Sequence, residues 1–279
     1  MHTAVVTGAS GYVGSRLVTV LRDSGWTVRA LVREPADWLE IDQTVCDLAD
    51  GNDTAFLSAF DGADAVVHLA GESEVVAARD AAGALATTTA ATARVADACA
   101  SMSVRRLVYM STVHVYGERM VPGATLTEDL RPEPRSAYAI SRLASEHISA
   151  SRSNGHYGLV AFRLTNSLGA PRHANVDRWS LVANDLCRQG AVSGRLELRS
   201  SGMQWRDFVP LSAVCQAVAV AASPDGPVSP GVYNLGSGKP TSVRQLAALI
   251  QDEFERQTAV RPELHAPEPE QEPPGAYRV

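Results

Sequence analysis

The sequence predicts an α/β fold built on a doubly wound parallel sheet, and three observations predict it. A short apolar run, Thr3–Thr7, enters a glycine turn, Thr7-Gly8-Ala9-Ser10-Gly11-Tyr12-Val13-Gly14. That turn opens a segment with helical apolar spacing. Strand-like and helix-like segments then alternate, which requires parallel strands joined by helical crossovers and a sheet covered on both faces.

Taken in order, Gly11–Arg22 sets Val13, Leu17, Val20 and Leu21 at helical spacing, and Gly25 closes the helix. Thr27–Val32 reads as the second strand. Asp64–Leu69 and Arg106–Met110 read as further buried strands, with a long alanine-rich helix between them that ends near Met102. After Leu168 the pattern changes. Gly169-Ala170-Pro171 breaks it, and later elements read as shorter and divided by Gly and Pro. Residues 1–168 are therefore expected to form the main domain, and 169–279 mainly a smaller lobe with segments returning to it. There is no internal repeat, and His265–Gly275, rich in Pro and Glu, is expected to be ordered only by contact.

Composition narrows the partners. Apolar content of 45% supports a sizeable core, and a formal charge of -6 with no basic stripe argues against nucleic acid. No apolar run approaches the length of a membrane span, and the N-terminus enters a strand without a leader pattern. Cys46, Cys99, Cys187 and Cys215 follow no metal or redox spacing and read as buried free thiols in a reducing compartment. A cytoplasmic protein without a metal is expected.

Gly8, Gly11 and Gly14 lie between a strand and a helix, the context that gives the motif meaning. Gly8 permits the tight turn, Gly11 lets backbone N–H groups near a pyrophosphate, and Gly14 lets helix and strand pack. The helix N-terminus adds positive potential, and Ser10, Tyr12 and Val13 belong to the same cradle. This is a Rossmann-type dinucleotide site. Where NAD-binding versions carry an acid after the second strand, this chain has Val32 followed by Arg33, whose guanidinium suits a 2′-phosphate. NADP is favoured over NAD. Asp47, with Leu48, is a candidate adenine contact. His68 reads as a core histidine, and Leu69, Ala70 and Gly71 as small enough for a cofactor to lie against their backbone.

Ser111 and Thr112 follow the predicted strand ending at Met110, so their hydroxyls emerge where ligands bind in open parallel sheets. Tyr138 and Arg142 share one helix face at i, i+4 spacing, with Ser136 as N-cap.

With Thr7–Gly14, His68-Leu-Ala-Gly71, Ser111-Thr-Val-His-Val-Tyr-Gly117 and Tyr138-Ala-Ile-Ser-Arg142 together, the chain resembles the extended short-chain dehydrogenase/reductase family, in its nucleotide-sugar epimerase, dehydratase and ketoreductase branch. Gln204-Trp-Arg-Asp-Phe-Val209 and Tyr233-Asn-Leu-Gly-Ser-Gly-Lys239 resemble that branch's substrate-lobe signatures, and the resemblance spans about Met1 to Ile250.

The resemblance implies that Tyr138 is the acid/base, that Thr112 polarises the reacting oxygen with Ser111 beside it, and that Arg142 stands where the family carries lysine. A phenol working near neutral pH needs about 4 kcal/mol of help, much of which a fixed cation supplies. It also implies that Asn166 bonds a nucleotide diphosphate, Arg206 a phosphate or ribose, and that His114 faces a sugar. Other departures are Thr88-Thr-Ala-Ala-Thr92, where the family has an asparagine and glycine, and Pro210-Leu-Ser212 in place of an acidic pair. The implied activity is NADPH-dependent reduction of a dTDP- or UDP-linked 4-keto-6-deoxyhexose. A 4-epimerase and a non-catalytic dinucleotide-binding regulator are the alternatives, and a homodimer is implied through helices near residues 85–102 and 136–153.

Overall fold

A computed structural model describes residues 2–50, 54–268 and 276–279. In chain order the elements are β1 (Thr3–Thr7), α1 (Tyr12–Asp23), β2 (Thr27–Val32), β3 (Asp42–Val45), α2 (Thr54–Ser58), β4 (Ala65–His68), α3 (Glu74–Arg79), α4 (Ala81–Ser101), β5 (Arg106–Thr112), α5 (Ala137–Ser153), β6 (Gly158–Leu164) and β7 (Asn166–Leu168). The remaining elements are α6 (Val182–Ser193), β8 (Arg195–Glu197), β9 (Trp205–Pro210), α7 (Leu211–Ala222), β10 (Gly231–Leu235), β11 (Pro240–Ser242), α8 (Val243–Thr258) and β12 (Glu263–His265).

The main sheet has seven strands in the order β10-β6-β5-β4-β1-β2-β3, all parallel. Alternation along each strand divides its side chains between two covered faces. Ala4 and Val6 point to a core with Leu17, Val18 and Leu21 of α1 and Val214 and Val218 of α7. Val5, Val66 and Leu107 point the other way, to Phe56, Phe60, Val95 and Cys99. The strand order reverses between β1 and β4, which opens a crevice at their C-terminal ends.

Local signals explain the helix starts. Ser73, Asp80 and Ser136 accept from backbone N–H groups at the heads of α3, α4 and α5. Ser242 and Gln245 form a reciprocal capping box on α8. β5 runs on through Thr112, two residues past the predicted end, because Ser111 and Thr112 keep parallel register with Arg163 and Leu164 of β6.

Beyond Leu168 the chain differs from the expectation of shorter elements. Its strands are short, but α6, α7 and α8 have 12, 12 and 16 residues. β10 rejoins the main sheet beside β6, and α7 packs against the α1 face. A three-stranded sheet, β11-β9-β7, and a two-stranded one, β12-β8, complete the fold. The break at Gly169 is fastened to α1: the Tyr12 hydroxyl donates to Gly169 O at 2.7 Å, and Arg16 Nε and Nη2 donate to Ala170 O.

Cys46, Cys99 and Cys215 are buried, but Cys187 is exposed. It lies beside Leu186 on α6, whose buried side is Ala183, Asn184, Leu186 and Gly190. No helix among the described residues is long and apolar enough to cross a membrane. Residues 269–275 of the Pro- and Glu-rich stretch lie outside the described residues.

Candidate active site

A cleft of about 960 Å³ opens at the β1/β4 reversal. Its floor is the glycine turn. Gly8 takes φ +65, a conformation that glycine adopts without strain. A Cβ at Gly14 would stand 2.2 Å from Gly8 O, so only hydrogen lets α1 sit this close to β1. Gly11 caps α1 with no side-chain hydrogen bond, and the first turn holds no acid. The N–H groups of that turn thus face the cleft without a side-chain acceptor, which is the chemistry an anionic pyrophosphate requires. These residues fit a dinucleotide.

Ser10, Tyr12 and Val13 line the same floor, and Arg33, Asp47 and Leu48 line the end beyond β2 and β3. Arg33 is 75% exposed and its Nη1 lies 3.5 Å from Glu72 Oε1. Asp47 Oδ1 accepts from Ala49 N at 2.8 Å in a local turn. Leu69, Ala70 and Gly71 form the facing wall.

His68 is fully buried beneath that wall. Thr7 Oγ1 accepts from the N–H of Leu69 and of Ala70 at 3.2 Å each. Its own proton is therefore assigned toward His68 Nδ1 at 2.7 Å, leaving Nε2–H to donate to Thr92 Oγ1 at 3.1 Å. Burial, aided by the Arg142 charge, pushes the imidazole down to about 3. The ring is a neutral tie between strands and helix. Thr88 serves a similar purpose, its hydroxyl accepting from Glu72 N at 3.1 Å.

The opposite wall carries the residues expected to be catalytic. Thr112, His114, Tyr138, Arg142 and Asn166 all line the cleft, with Ser111 beside them. The Ser111 hydroxyl donates to Glu146, which is paired with Arg163 at 2.8 Å, both side chains only 6% exposed. Thr112 Oγ1 accepts from His114 N at 3.3 Å and donates to no described residue. The adjacent hydroxyls are thereby distinguished: one is committed to a buried carboxylate, the other keeps a proton for a ligand.

Tyr138 and Arg142, one turn apart on α5, lie with the guanidinium carbon 5.3 Å from the phenol ring centroid. Arg142 is 7% exposed. Nη1 donates to Met110 O at 3.4 Å and Nη2 to Glu72 O at 3.3 Å. Burial opposes its charge, but the neighbouring Tyr109 and Tyr138 phenols outweigh this and hold its pKa above the usual arginine value. The His114 ring stands edge-on to Tyr138 with centroids 6.5 Å apart, and burial, then the Arg206 charge, lower its pKa.

Asn166 Nδ2 donates to Asp207 O at 3.1 Å. Arg206 is not among the cleft's lining residues; its Nη1 donates to Trp205 O at 2.9 Å. Asp207, its sequence neighbour, is occupied by the hydroxyls of Thr165 and Ser237 and by Ser237 N–H. Sequence reasoning missed Glu72, Glu74, Asp177 and Arg178, all of which line the cleft. Arg178 Nη1 lies 4.0 Å from Glu74 Oε2 across it. No motif marks these residues. It missed the Glu146–Arg163 pair as well, although Glu146 comes one helical turn after Arg142 and offered a signal.

Comparison with known proteins gives a consistent result. The profile of the NAD dependent epimerase/dehydratase family matches residues 4–236. A GDP-6-deoxy-D-mannose reductase of Pseudomonas aeruginosa is 32% identical over 255 residues, covering 88% of this chain and 78% of that protein. A UDP-glucose 4-epimerase of Corynebacterium glutamicum is 28% identical over 268 residues, covering 89% of this chain and 79% of that protein. Among solved structures, MoeE5 in complex with UDP-glucose and NAD superposes with a TM-score of 0.79 at 27% identity, covering 99% of this chain and 87% of that one.

Proposed function

Because the chain belongs to the NAD dependent epimerase/dehydratase family, we propose that it is an NADPH-dependent reductase of a nucleotide-linked 4-keto-6-deoxyhexose. The observation that carries this reading is the convergence of a Thr112 hydroxyl with no protein acceptor among the described residues, the Tyr138 phenol and a buried Arg142 guanidinium on one wall of a dinucleotide-shaped cleft.

A reduced nicotinamide bound in the cleft would supply hydride to the carbonyl carbon. Thr112 donates a hydrogen bond to the carbonyl oxygen, drawing charge away from the carbon as it is attacked. Tyr138 gives that oxygen its proton, so the product leaves as an alcohol. The tyrosinate left behind faces Arg142, whose charge is fixed by two main-chain carbonyls. Arginine holds the charge but relays no proton at neutral pH, so the phenol is reprotonated from solvent or through His114. Asn166 and His114 lie on the sugar-nucleotide side, and the segments after residue 169 complete that side.

Arg33 supports the preference for NADPH, since its exposed guanidinium lines the end of the cleft beyond β2. The similarity to a GDP-6-deoxy-D-mannose reductase supports a reductive reaction on a 6-deoxyhexose. NADPH oxidation with dTDP-, UDP- and GDP-linked 4-keto-6-deoxyhexoses tests the assignment. Consumption with at least one is expected. Absence of consumption with all of them, or inversion of a sugar hydroxyl on firmly bound NAD⁺ without net oxidation, contradicts it; the second outcome makes the chain a 4-epimerase.

A further inference from the structure

The charge of the cleft does not match the ligands proposed for it. A dinucleotide and a sugar nucleotide each bring a diphosphate. Among the described residues, however, the lining holds five carboxylates against three arginines, Arg33, Arg142 and Arg178. Arg142 is engaged with Tyr138 and with the carbonyls of Met110 and Glu72. Arg33 stands at the end beyond β2. Arg178 is the remaining guanidinium, and no motif marks it.

Its main chain is fixed and its head is not. The Arg178 carbonyl accepts from Leu181 N at 3.3 Å and from Nδ2 of the buried Asn184 at 3.2 Å. The guanidinium donates a hydrogen bond to no described residue, and the side chain is 33% exposed. Nearby arginines spend their donors on protein, Arg16 on Ala170 O and Arg172 on the Thr19 hydroxyl. A guanidinium carries five N–H donors in a planar fork that suits phosphate oxygens. Two observations set that fork across the cleft from the head of α1 to α3. Burial raises the pKa of Tyr12, the first residue of α1, and the Arg178 charge opposes that rise after Asn184 and Arg16. On the other side, Nη1 lies 4.0 Å from Oε2 of Glu74, the first residue of α3. A pair so long and so open to solvent contributes little to stability.

We propose that Arg178 binds the diphosphate of a cleft ligand, and that Glu74 competes with that diphosphate for the guanidinium. The assignment rests on the reading of the cleft as a site for a dinucleotide and a sugar nucleotide, either of which carries the group. Proximity to Tyr12, next to the glycine turn, favours the diphosphate of the dinucleotide. Binding exchanges a loose carboxylate contact for charge-assisted hydrogen bonds to phosphate oxygens.

A double-mutant cycle of Arg178→Gln, Glu74→Gln and the two combined tests it, read as Kd by fluorescence titration with NADPH and NADH. Competition by adenosine, and by dTDP, UDP and GDP, separates the sources. Arg178→Gln is expected to weaken the tighter dinucleotide about tenfold and to leave adenosine within about twofold, with the thermal midpoint near that of the wild type. A loss confined to the nucleoside diphosphates supports diphosphate binding as well and assigns it to the sugar nucleotide. Glu74→Gln is expected to tighten the same ligand about twofold to fivefold, and this gain should vanish in the Arg178→Gln background. An unchanged Kd for every diphosphate, or an equal loss for adenosine, overturns the binding role. An equal gain from Glu74→Gln in both backgrounds overturns the competition, because the carboxylate would then act by repulsion alone. If the wild-type protein binds neither dinucleotide nor nucleoside diphosphate, the reading of the cleft falls and this assignment with it. If it binds them and Arg178→Gln binds them equally well, only this assignment falls.

Discussion

Ser111 and Thr112 are neighbours on one strand, yet their surroundings assign them different work. Ser111 is bound to the buried Glu146, and Thr112 keeps a proton directed to no described residue. Thr112→Val is therefore expected to lower kcat by about two to three orders of magnitude with little loss of fold, the range in which removal of one oxyanion donor falls. Ser111→Ala is expected to act chiefly on stability. Tyr138→Phe, which removes the proton donor, should cost about a hundredfold or more in kcat. Steady-state kinetics alongside thermal melts separate these outcomes. At the far end of the cleft, Glu72 lies 3.5 Å from Arg33 and competes with any 2′-phosphate for that guanidinium. Replacing Glu72 with Gln frees it, and the ratio of kcat/KM for NADPH over NADH should rise about twofold to fivefold, since a pair whose cation is mostly exposed is worth up to about 1 kcal/mol. Arg33→Ala should move the ratio the other way. An unchanged ratio in both variants would remove Arg33 from cofactor selection.

Between elements, two buried polar ties decide how the walls of the cleft are held. Glu146 and Arg163 join α5 to β6, with Tyr116 donating to Asn234 of β10 and accepting from Arg163 on the other side. Removing one partner leaves an uncompensated charge in the core, so Glu146→Ala should destabilise by about 3–5 kcal/mol in urea unfolding. Replacing both residues by apolar ones of similar size should cost much less. The second tie is His68, which links β1, β4 and α4. Its folded pKa of about 3 lies below the ordinary 6.5, so the unfolded chain binds the proton first as pH falls. Stability is full well above pH 6.5 and declines from there toward pH 3, by on the order of 5 kcal/mol in all. His68→Gln should flatten that slope in denaturant titrations between pH 7 and 4; an unaltered slope would place the acid sensitivity elsewhere.

Much of this element plan is legible in the sequence because it rests on local signals. The glycine turn, the apolar runs of β1, β2, β4 and β5, and the Ser136 cap need no distant partner to be recognised. The chain beyond Leu168 is less legible. There β10 returns to the main sheet and α7 to its α1 face, and such returns are set by tertiary packing rather than by any periodicity.

At the scale of the whole molecule, the strand order places the candidate site. The reversal between β1 and β4 sets the glycine cradle of one half opposite the hydroxyls and cation of the other. Gly8 can be picked out from its place between strand and helix, whereas choosing Thr112, Tyr138 and Arg142 among their neighbours took the family resemblance as well. Glu72 enters the cleft from the β4–α3 connection, and Asp177 and Arg178 from the segment after residue 169, which is fastened to α1. A net charge of -6 leaves attraction of an anionic dinucleotide and sugar nucleotide to local groups. In the proposed function the cradle N–H groups, Arg33 and Arg142 supply it, and salt should weaken the contribution of exposed Arg33 more than that of buried Arg142.

The most direct test of the central claim is transfer of label from 4-deuterated NADPH to a nucleotide-linked 4-keto-6-deoxyhexose, with NMR of the product. Deuterium at C4 of the sugar, lost with Tyr138→Phe, is the predicted result. Unlabelled product formed at the same rate by the wild-type protein and by Tyr138→Phe would contradict it.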